Sequence, residues 1–435
     1  MVNLKSSALS RRALLAGSAK LGIGALAAGS LTGSRWGRLA AQDRTTIDLP
    51  YLWSGPEGEA LEKIIQQFNQ SQTTIEVKGA SNPDTQRQLA SMSSSNGFDI
   101  SDNFGSNTGS WAAKGILEPL DDYLAAGGLD ISSFIPTTLE QLKYEGKLYA
   151  LPIAVHTLLL LYNKDLLAAE GITEPPTTTS QWADAIAKLT KVDGDGNITQ
   201  LGINAATDAP LTWTWAFGGQ WADAQGLPTP THPGNLACIN FLLDNVYKKY
   251  GVDQVKRFQS GFGEYASPQN PFYVGKTAME VDGEWQSRFV QLYAPTLNWG
   301  VAPLPVIDDQ PELAGATDLA SSMFFIPRNA EHKQEAWEFM KFLMSDAPMR
   351  DFTLALANLP ARQTLLADPA YTELPNFTAW LDSLKSPNLR SFPSTEWSEE
   401  YRTELTSSLD EIFNLRKSAE EGMAEVEEKA KRFTQ

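Results

Sequence analysis

Three tryptophans and a phenylalanine fall within ten residues at Thr212–Trp221, "TWTWAFGGQW". Leu, Ile and Val fill a folding core at less cost in specificity and leave no indole N–H in need of a partner. Aromatic faces at this density suit stacking on another flat, weakly polar face. If the segment is helical, Trp213 and Trp215 stand two residues apart and cannot share a face, so one is expected to face a cleft while the other packs inward. Trp221 is a third candidate contact. A second group, "MEVDGEWQ", sets Trp285 just past a predicted strand. There Asp282 and Glu284 are ready acceptors, and Gly283 lets backbone approach closely. A third, "LWSGPEGE", offers Trp53 with Glu57 and Glu59. First-turn acids also stabilise a helix N-terminus without touching any ligand.

Catalytic and metal chemistries have less to stand on. Three histidines and one cysteine make no transition-metal cluster. Asp193–Thr199, "DGDGNIT", begins like a calcium loop but has Ile198 where the loop glycine belongs and Asn204 where the closing Glu belongs, so a hairpin turn is expected. There is no Ser-His-Asp motif, zinc signature or phosphate-binding glycine loop, and acid pairs among 52 acidic residues carry no information. No cofactor and no metal are expected. A secreted glycosidase remains the rival class, because it too uses aromatics with two carboxylates. Whether an oligosaccharide is turned over or returned intact separates the two. Cys238, inside the helical pattern "NLACINFLLDNVYKK", reads as a small buried apolar residue.

The elements that must position these groups follow βαβ grammar. "TIDLPYLWSG" reads as a strand, "EGEALEKIIQQFNQ" as a helix with Leu61, Ile64, Ile65 and Phe68 on one stripe, and "TIEVKGA" as the next strand. "FDIS" is a further strand, followed by the polar loop "DNFGSNTGS" and a helix over "WAAKGILEPLDDYL". "TEPPTTTSQW" caps the helix "QWADAIAKLT". The grammar implies a mostly parallel, covered sheet, with ligands at the carboxyl ends of its strands. "LWSGPEGE" and "DNFGSNTGS" stand at such ends, which makes Asn103 and Asn107 loop candidates. The 435 residues exceed what one core usually organises, so two lobes are expected.

Ahead of these elements, "SRRALLAGSAKLGIGALAAGSLTG" pairs Arg11 and Arg12 with a weakly apolar Gly/Ala-rich run and then the small residues of "LAAQD". That is the layout of a twin-arginine export signal over residues 1–41. An uncleaved N-terminal anchor is the alternative, and the missing cysteine argues against a lipoprotein. The formal net charge is −17, and losing the six Lys/Arg of residues 1–41, which hold no acid, leaves −23. So acidic a surface argues against nucleic acid or anionic lipid as the main partner.

At "KLYALPIAVHTLLLLYNKDLLAAEGITEPPTTTSQWADAIAKLT" the chain resembles extracellular solute-binding proteins of family 1, the maltose-binding-like components of ABC importers. The resemblance is carried by Gly146, Lys147, Tyr149 and Pro152, then by Tyr162 to Asp165 and Gly171 to Trp182, with Trp182 a few residues later than the family's usual tryptophan. It continues in order through "FYVGKTAMEVDGEWQ", "WGVAPLPV", "EHKQEAWEFMKFLMSDAPMRDF" and "LANLPARQTLLADP". Any one of these is weak; the ordered set is specific.

The resemblance implies an α/β, two-lobed periplasmic-binding-protein-like (class II) fold with hinge crossovers and a ligand cleft between the lobes. Crossings are expected near Leu151–Val155 and Ala320–Phe325. Lobe 1 would comprise residues 44–152 plus 320–355, and lobe 2 residues 153–319 plus 356–435. It also implies a monomeric receptor outside the cytoplasmic membrane that hands a solute to an ABC transporter permease. A sugar ring has apolar C–H faces and a rim of hydroxyls, so its site needs aromatic platforms with ionised or amide partners. The expected ligand contacts are Trp53, Glu57, Asn103, His156, Trp213, Trp215, Trp221, Asp282, Gly283, Glu284 and Trp285. His156 stands just past the first crossing, although a lone His among apolar residues is more often a boundary residue. The alternative ligand is glycerol 3-phosphate or a related phosphodiester, for which Arg362 with Arg288 would form the cationic clamp.

Overall fold

The computed structural model describes residues 44–433 apart from 83, 95, 96 and 264; the export leader, with Arg11 and Arg12, lies outside the described residues. The first strand, β1 (Thr45–Tyr51), buries Ile47, Leu49 and Tyr51 in the alternation that a half-covered strand demands. The helix Gly55–Ser71 follows, with Leu61, Ile64, Ile65 and Phe68 on its buried stripe, and returns the chain to β2 (Ile75–Ser81), which pairs parallel with β1 from Thr45↔Ile75 to Tyr51↔Ser81. This unit matches its sequence pattern.

The next strand lies further along than expected. Phe98–Ile100 are not in it, and β3 spans Ser101–Phe104. Asp99 instead ties loops, its carboxylate accepting the N–H of Asp48 at 3.0 Å and of His332 at 2.9 Å. The helix expected over Trp111–Leu124 is broken: it splits into Thr108–Ala113 and Asp121–Ala125. Gly115, with φ +68°, ends the first piece in the left-handed region that favours glycine.

A small hairpin, β4 (Lys143–Tyr144) and β5 (Lys147–Leu148), leads into β6 (Ala150–Thr157), all of whose residues are buried. One residue, Leu158, separates it from β7 (Leu159–Asn163). Beyond lie β8 (Lys191–Val192) and β9 (Ile198–Asn204), joined by the "DGDGN" turn. There Asp193 accepts the N–H groups of Asp195 and Asn197, and Gly196 has φ +84°. Four strands then follow, β10 (Thr277–Asp282), β11 (Trp299–Ala302), β12 (Thr317–Phe325) and β13 (Leu359–Pro360), and β14 (Leu389–Arg390) is last.

Two five-stranded sheets result. One has the order β13-β6-β12-β14 with β3 also on β12; the other has the order β11-β7-β10-β9-β8. The chain passes from the first sheet to the second at Leu158. The expectation of mostly parallel sheets is corrected: among the described residues only β1·β2, β9·β10 and β12·β14 run parallel. The strands that carry the chain between sheets meet their neighbours head to tail. Thus β6 lies antiparallel to β12 from Leu319↔Thr157 to Phe325↔Ala150.

Alternation along β7 sends Leu159 and Leu161 into one core and Leu160 into the other. The first core is continuous under the first sheet and one face of the second; the other core lies on the second sheet's far face, with Trp182, Trp213, Cys238 and Tyr401. The first sheet's share of the chain runs past residue 355, because β13 pairs with β6 at Leu359↔Val155 and Pro360↔Ala154.

Candidate functional site

A cleft of about 800 Å³ opens between the two sheets. From the first sheet's side come Leu52, Trp53, Ser54 and Glu57, on the turn from β1 into its helix, with Asp102, Asn103 and Phe104 of β3. The floor is the paired crossover strands, with His156 from β6 and Asp318, Ala320 and Ser322 from β12. The second sheet's side supplies Asp208 past β9, Trp285 past β10, and Tyr265, Phe289 and Arg402. Several of these follow the carboxyl ends of strands, where an open α/β sheet leaves its crevice.

Five of the sequence-derived candidates line this space: Trp53, Glu57, Asn103, His156 and Trp285. Trp53 is half-buried on Phe324 and Phe352, with ring centroids 5.8 and 5.0 Å away. Burial raises the Glu57 carboxyl, partly offset by His156. Asn103 is occupied, donating to Gln88 Oε1 at 2.7 Å and accepting from Asn107 at 2.6 Å. His156 spans the two sheets: its Nδ1 is 2.7 Å from Glu284 Oε1 and its Nε2 is 2.8 Å from Ser322 Oγ.

Asp282, Gly283 and Glu284 stand behind the wall, and their role there is support. Asp282 accepts from Tyr265 Oη at 2.6 Å and from Gln286 Nε2 at 2.7 Å, and burial pushes its carboxyl up to about 6. Glu284 is fully buried, with Oε1 on His156. Gly283 leaves room for an indole: a Cβ there would lie 2.3 Å from Trp285 Cη2.

The opening tryptophan cluster is corrected. Trp213, Trp215 and Trp221 are 3%, 5% and 1% exposed and belong to the second core. The segment is a one-turn helix, Pro210–Trp213, running into a tighter turn, Thr214–Phe217. Both pieces lie beneath the second sheet, so i and i+2 are buried alike. Trp213 packs on Trp182 at 5.1 Å, and Trp221 Nε1 donates to Leu211 O at 2.9 Å. Trp215 reaches the site only through another residue, donating from Nε1 to Asp318 at 3.0 Å.

Arg362 is also elsewhere. Its guanidinium lies over Phe134, bonds Met344 O and pairs with Asp346. Arg288 donates to the carbonyls of Ala355 and Leu354. Neither lines the cleft.

Sequence reasoning missed Asp102, Phe104, Asp208, Tyr265, Phe289, Asp318 and Arg402. Phe104 is 51% exposed, and an aromatic inside the polar loop after a strand was its available signal. Asp318 and Arg402 had none, being 84 positions apart in the chain. Burial pushes Asp102 up to about 7 and Asp318 up to about 6, the latter opposed by the Trp215 bond. Arg402 is stacked 4.2 Å over Phe392, and burial lowers the pKa of its guanidinium against the pull of Asp318 and Asp208. Acids therefore outnumber permanent cations on the cleft wall. Aromatic faces beside hydrogen-bonding rims suit a polyhydroxylated, uncharged guest.

A family model described as bacterial extracellular solute-binding protein matches residues 53–350. The maltotriose-binding protein of Pyrococcus abyssi is 26% identical over 264 residues, 60% of this chain and 54% of that protein. The mannitol-binding protein of Pseudomonas aeruginosa is 29% identical over 247 residues, 54% of each. The chain thus spans about half the length of these two relatives. Among solved structures, CpMnBP1 with mannotriose bound superposes with a TM-score of 0.82 at 24% identity, covering 89% of this chain and all of that one. The GacH receptor of Streptomyces glaucescens gives 0.74 at 20% identity. These likenesses establish the two-lobed fold.

Proposed function

The chain belongs to the bacterial extracellular solute-binding proteins, and from that membership we propose that it is a carbohydrate receptor of an ABC importer. It takes a mono- or oligosaccharide into the cleft between its lobes, returns it unchanged, and delivers it to a membrane permease. The observation that carries the reading is the cleft wall. Trp53, Phe104, Tyr265, Trp285 and Phe289 supply flat faces, and Glu57, Asp102, Asp208 and Asp318 supply acceptors for hydroxyls. The volume lies in the range of small-molecule sites. Relatives named for maltotriose and mannitol, and the mannotriose-bound neighbour, support the same class.

A phosphoester finds less support. Arg362 and Arg288 point their charge elsewhere, and Arg402 lies near the carboxylates of Asp318 and Asp208. The test is a thermal-shift screen of the mature protein against maltotriose, mannotriose, mannitol and glycerol 3-phosphate. A ligand at about 100 times its Kd adds roughly 2.7 kcal/mol. A shift with a sugar, and recovery of that sugar intact, is expected; a shift with glycerol 3-phosphate alone would replace the reading.

The family places the protein outside the cytoplasm. For the route we propose the twin-arginine pathway, on the "SRRALL" motif. Replacing Arg11 and Arg12 by Lys should leave the precursor in the cytoplasm, as read by fractionation; normal export would count against that route.

A further inference from the structure

Resting on the carbohydrate reading, we propose that Tyr265 is a positioning residue whose hydroxyl fixes the Trp285 indole as a stacking face and uses up its N–H. Trp285 Nε1 donates to Tyr265 Oη at 2.6 Å. The same oxygen accepts from Gln286 Nε2 at 3.1 Å and donates its own proton to Asp282 at 2.6 Å. A phenol has one donor and two acceptor positions, so all three are filled. The directions are settled too: an indole N–H and an amide N–H can only donate, which leaves the phenol proton for the carboxylate. Gln286 is itself held, its Oε1 accepting from Tyr273 Oη at 2.6 Å.

Around this hub the indole has little freedom. Its ring lies where a Gly283 Cβ would stand, and the His156 ring meets it edge-on with centroids 5.5 Å apart. The indole that lines the cleft is therefore fixed in place and keeps no N–H for a ligand oxygen. Hydroxyl recognition falls to the carboxylates and Arg402, and Trp285 contributes area. Tyr265 comes from the loop between the helix Val252–Gln259 and β10, whereas Trp285 follows β10, so the clamp also ties that loop to the cleft wall.

Two measurements test this. In ligand-free protein, the ¹H–¹⁵N indole signal of Trp285 is assigned as the one missing from Trp285→Phe. It should shift and exchange faster with water in Tyr265→Phe; an unmoved signal overturns the proposal. Affinity for maltotriose and mannotriose is then measured in wild type, Tyr265→Phe, Trp285→Phe and the double variant. Tyr265→Phe alone should bind roughly fivefold more weakly, the scale of one neutral hydrogen bond. In the Trp285→Phe background, where no N–H remains to be held, it should cost nothing further. Equal losses in both backgrounds would overturn it, since Tyr265 would then act on the ligand or the fold directly. A melting temperature near that of wild type identifies Tyr265→Phe as folded. Should neither trisaccharide bind wild-type protein and the screen give a shift with glycerol 3-phosphate alone, while the indole signal moves as expected, the positioning role stands and the carbohydrate reading falls.

Discussion

Single residues in the cleft wall are tuned by burial. Asp102 is 2% exposed, accepts the Leu52 N–H at 2.9 Å, and has its carboxyl pushed up to about 7. Folded protein thus holds a proton that the unfolded chain releases near pH 4. The folded state binds more protons between those values, so the contribution of Asp102 to stability is full below about pH 4 and is lost as pH rises through about 7. Asp318 acts in the same sense up to about 6. Urea titrations of ligand-free protein should show stability falling from pH 4 to 7, and Asp102→Asn should flatten that slope by roughly 2–4 kcal/mol. An unchanged slope would show that Asp102 does not titrate in this window. At the platform, Trp285→Ala should weaken sugar binding by about 2–4 kcal/mol, as central aromatic anchors do, roughly 30- to 1,000-fold. Calorimetric titration decides it, and normal binding would remove Trp285 from the site.

At the scale of elements, the segment Pro210–Phe217 shows how a binding-like composition serves a core. Its tryptophans interlock with Trp182 and Phe241 under the second sheet, with ring centroids of Trp182 at 5.1 Å from both Trp213 and Phe241. Trp221→Ala should cost about 3–5 kcal/mol of stability, the usual loss on truncating a buried aromatic. Its effect on sugar affinity should be small, because no part of it lines the cleft. Denaturant unfolding together with titration separates the two, and a large affinity loss at unchanged stability would contradict the placement. Trp215→Phe should differ from Trp221→Ala, since it strips Asp318 of its donor and so alters the cleft through a neighbour.

For the whole molecule, the chain passes between the two sheets at Leu158 and again between β11 and β12, so hinge motion is expected at those two joints. His156 on β6 reaches Glu284 beyond β10, so the floor and the second lobe are joined by a side-chain bond as well as by Leu158. Closure around a ligand should shrink the radius of gyration, as hinge closure does in such receptors. Small-angle scattering with and without a saturating sugar checks this, and identical curves would argue against a hinged mechanism.

Much of the fold was legible in the chain. Periodicity gave β1, its helix and β2, because each buries one face and so repeats at its own period. Ordered motifs gave the two-lobed plan, but the chain passes between the sheets at Leu158 and again between β11 and β12, whereas the expected stretches Leu151–Val155 and Ala320–Phe325 lie inside β6 and β12. The strand-end rule brought Trp53, Glu57 and Trp285 to the cleft. Tertiary structure alone decided which aromatics face the cleft. Trp213 and Trp285 have the same chemistry, and only the packing above each buries one and leaves the other at the wall. Tertiary structure also assembled Asp318 with Arg402 and Tyr265 with Trp285, since contacts between distant segments leave no spacing to read. It likewise turned the strands antiparallel at the crossover, because direction depends on the side from which the chain re-enters a sheet, which local pattern does not encode.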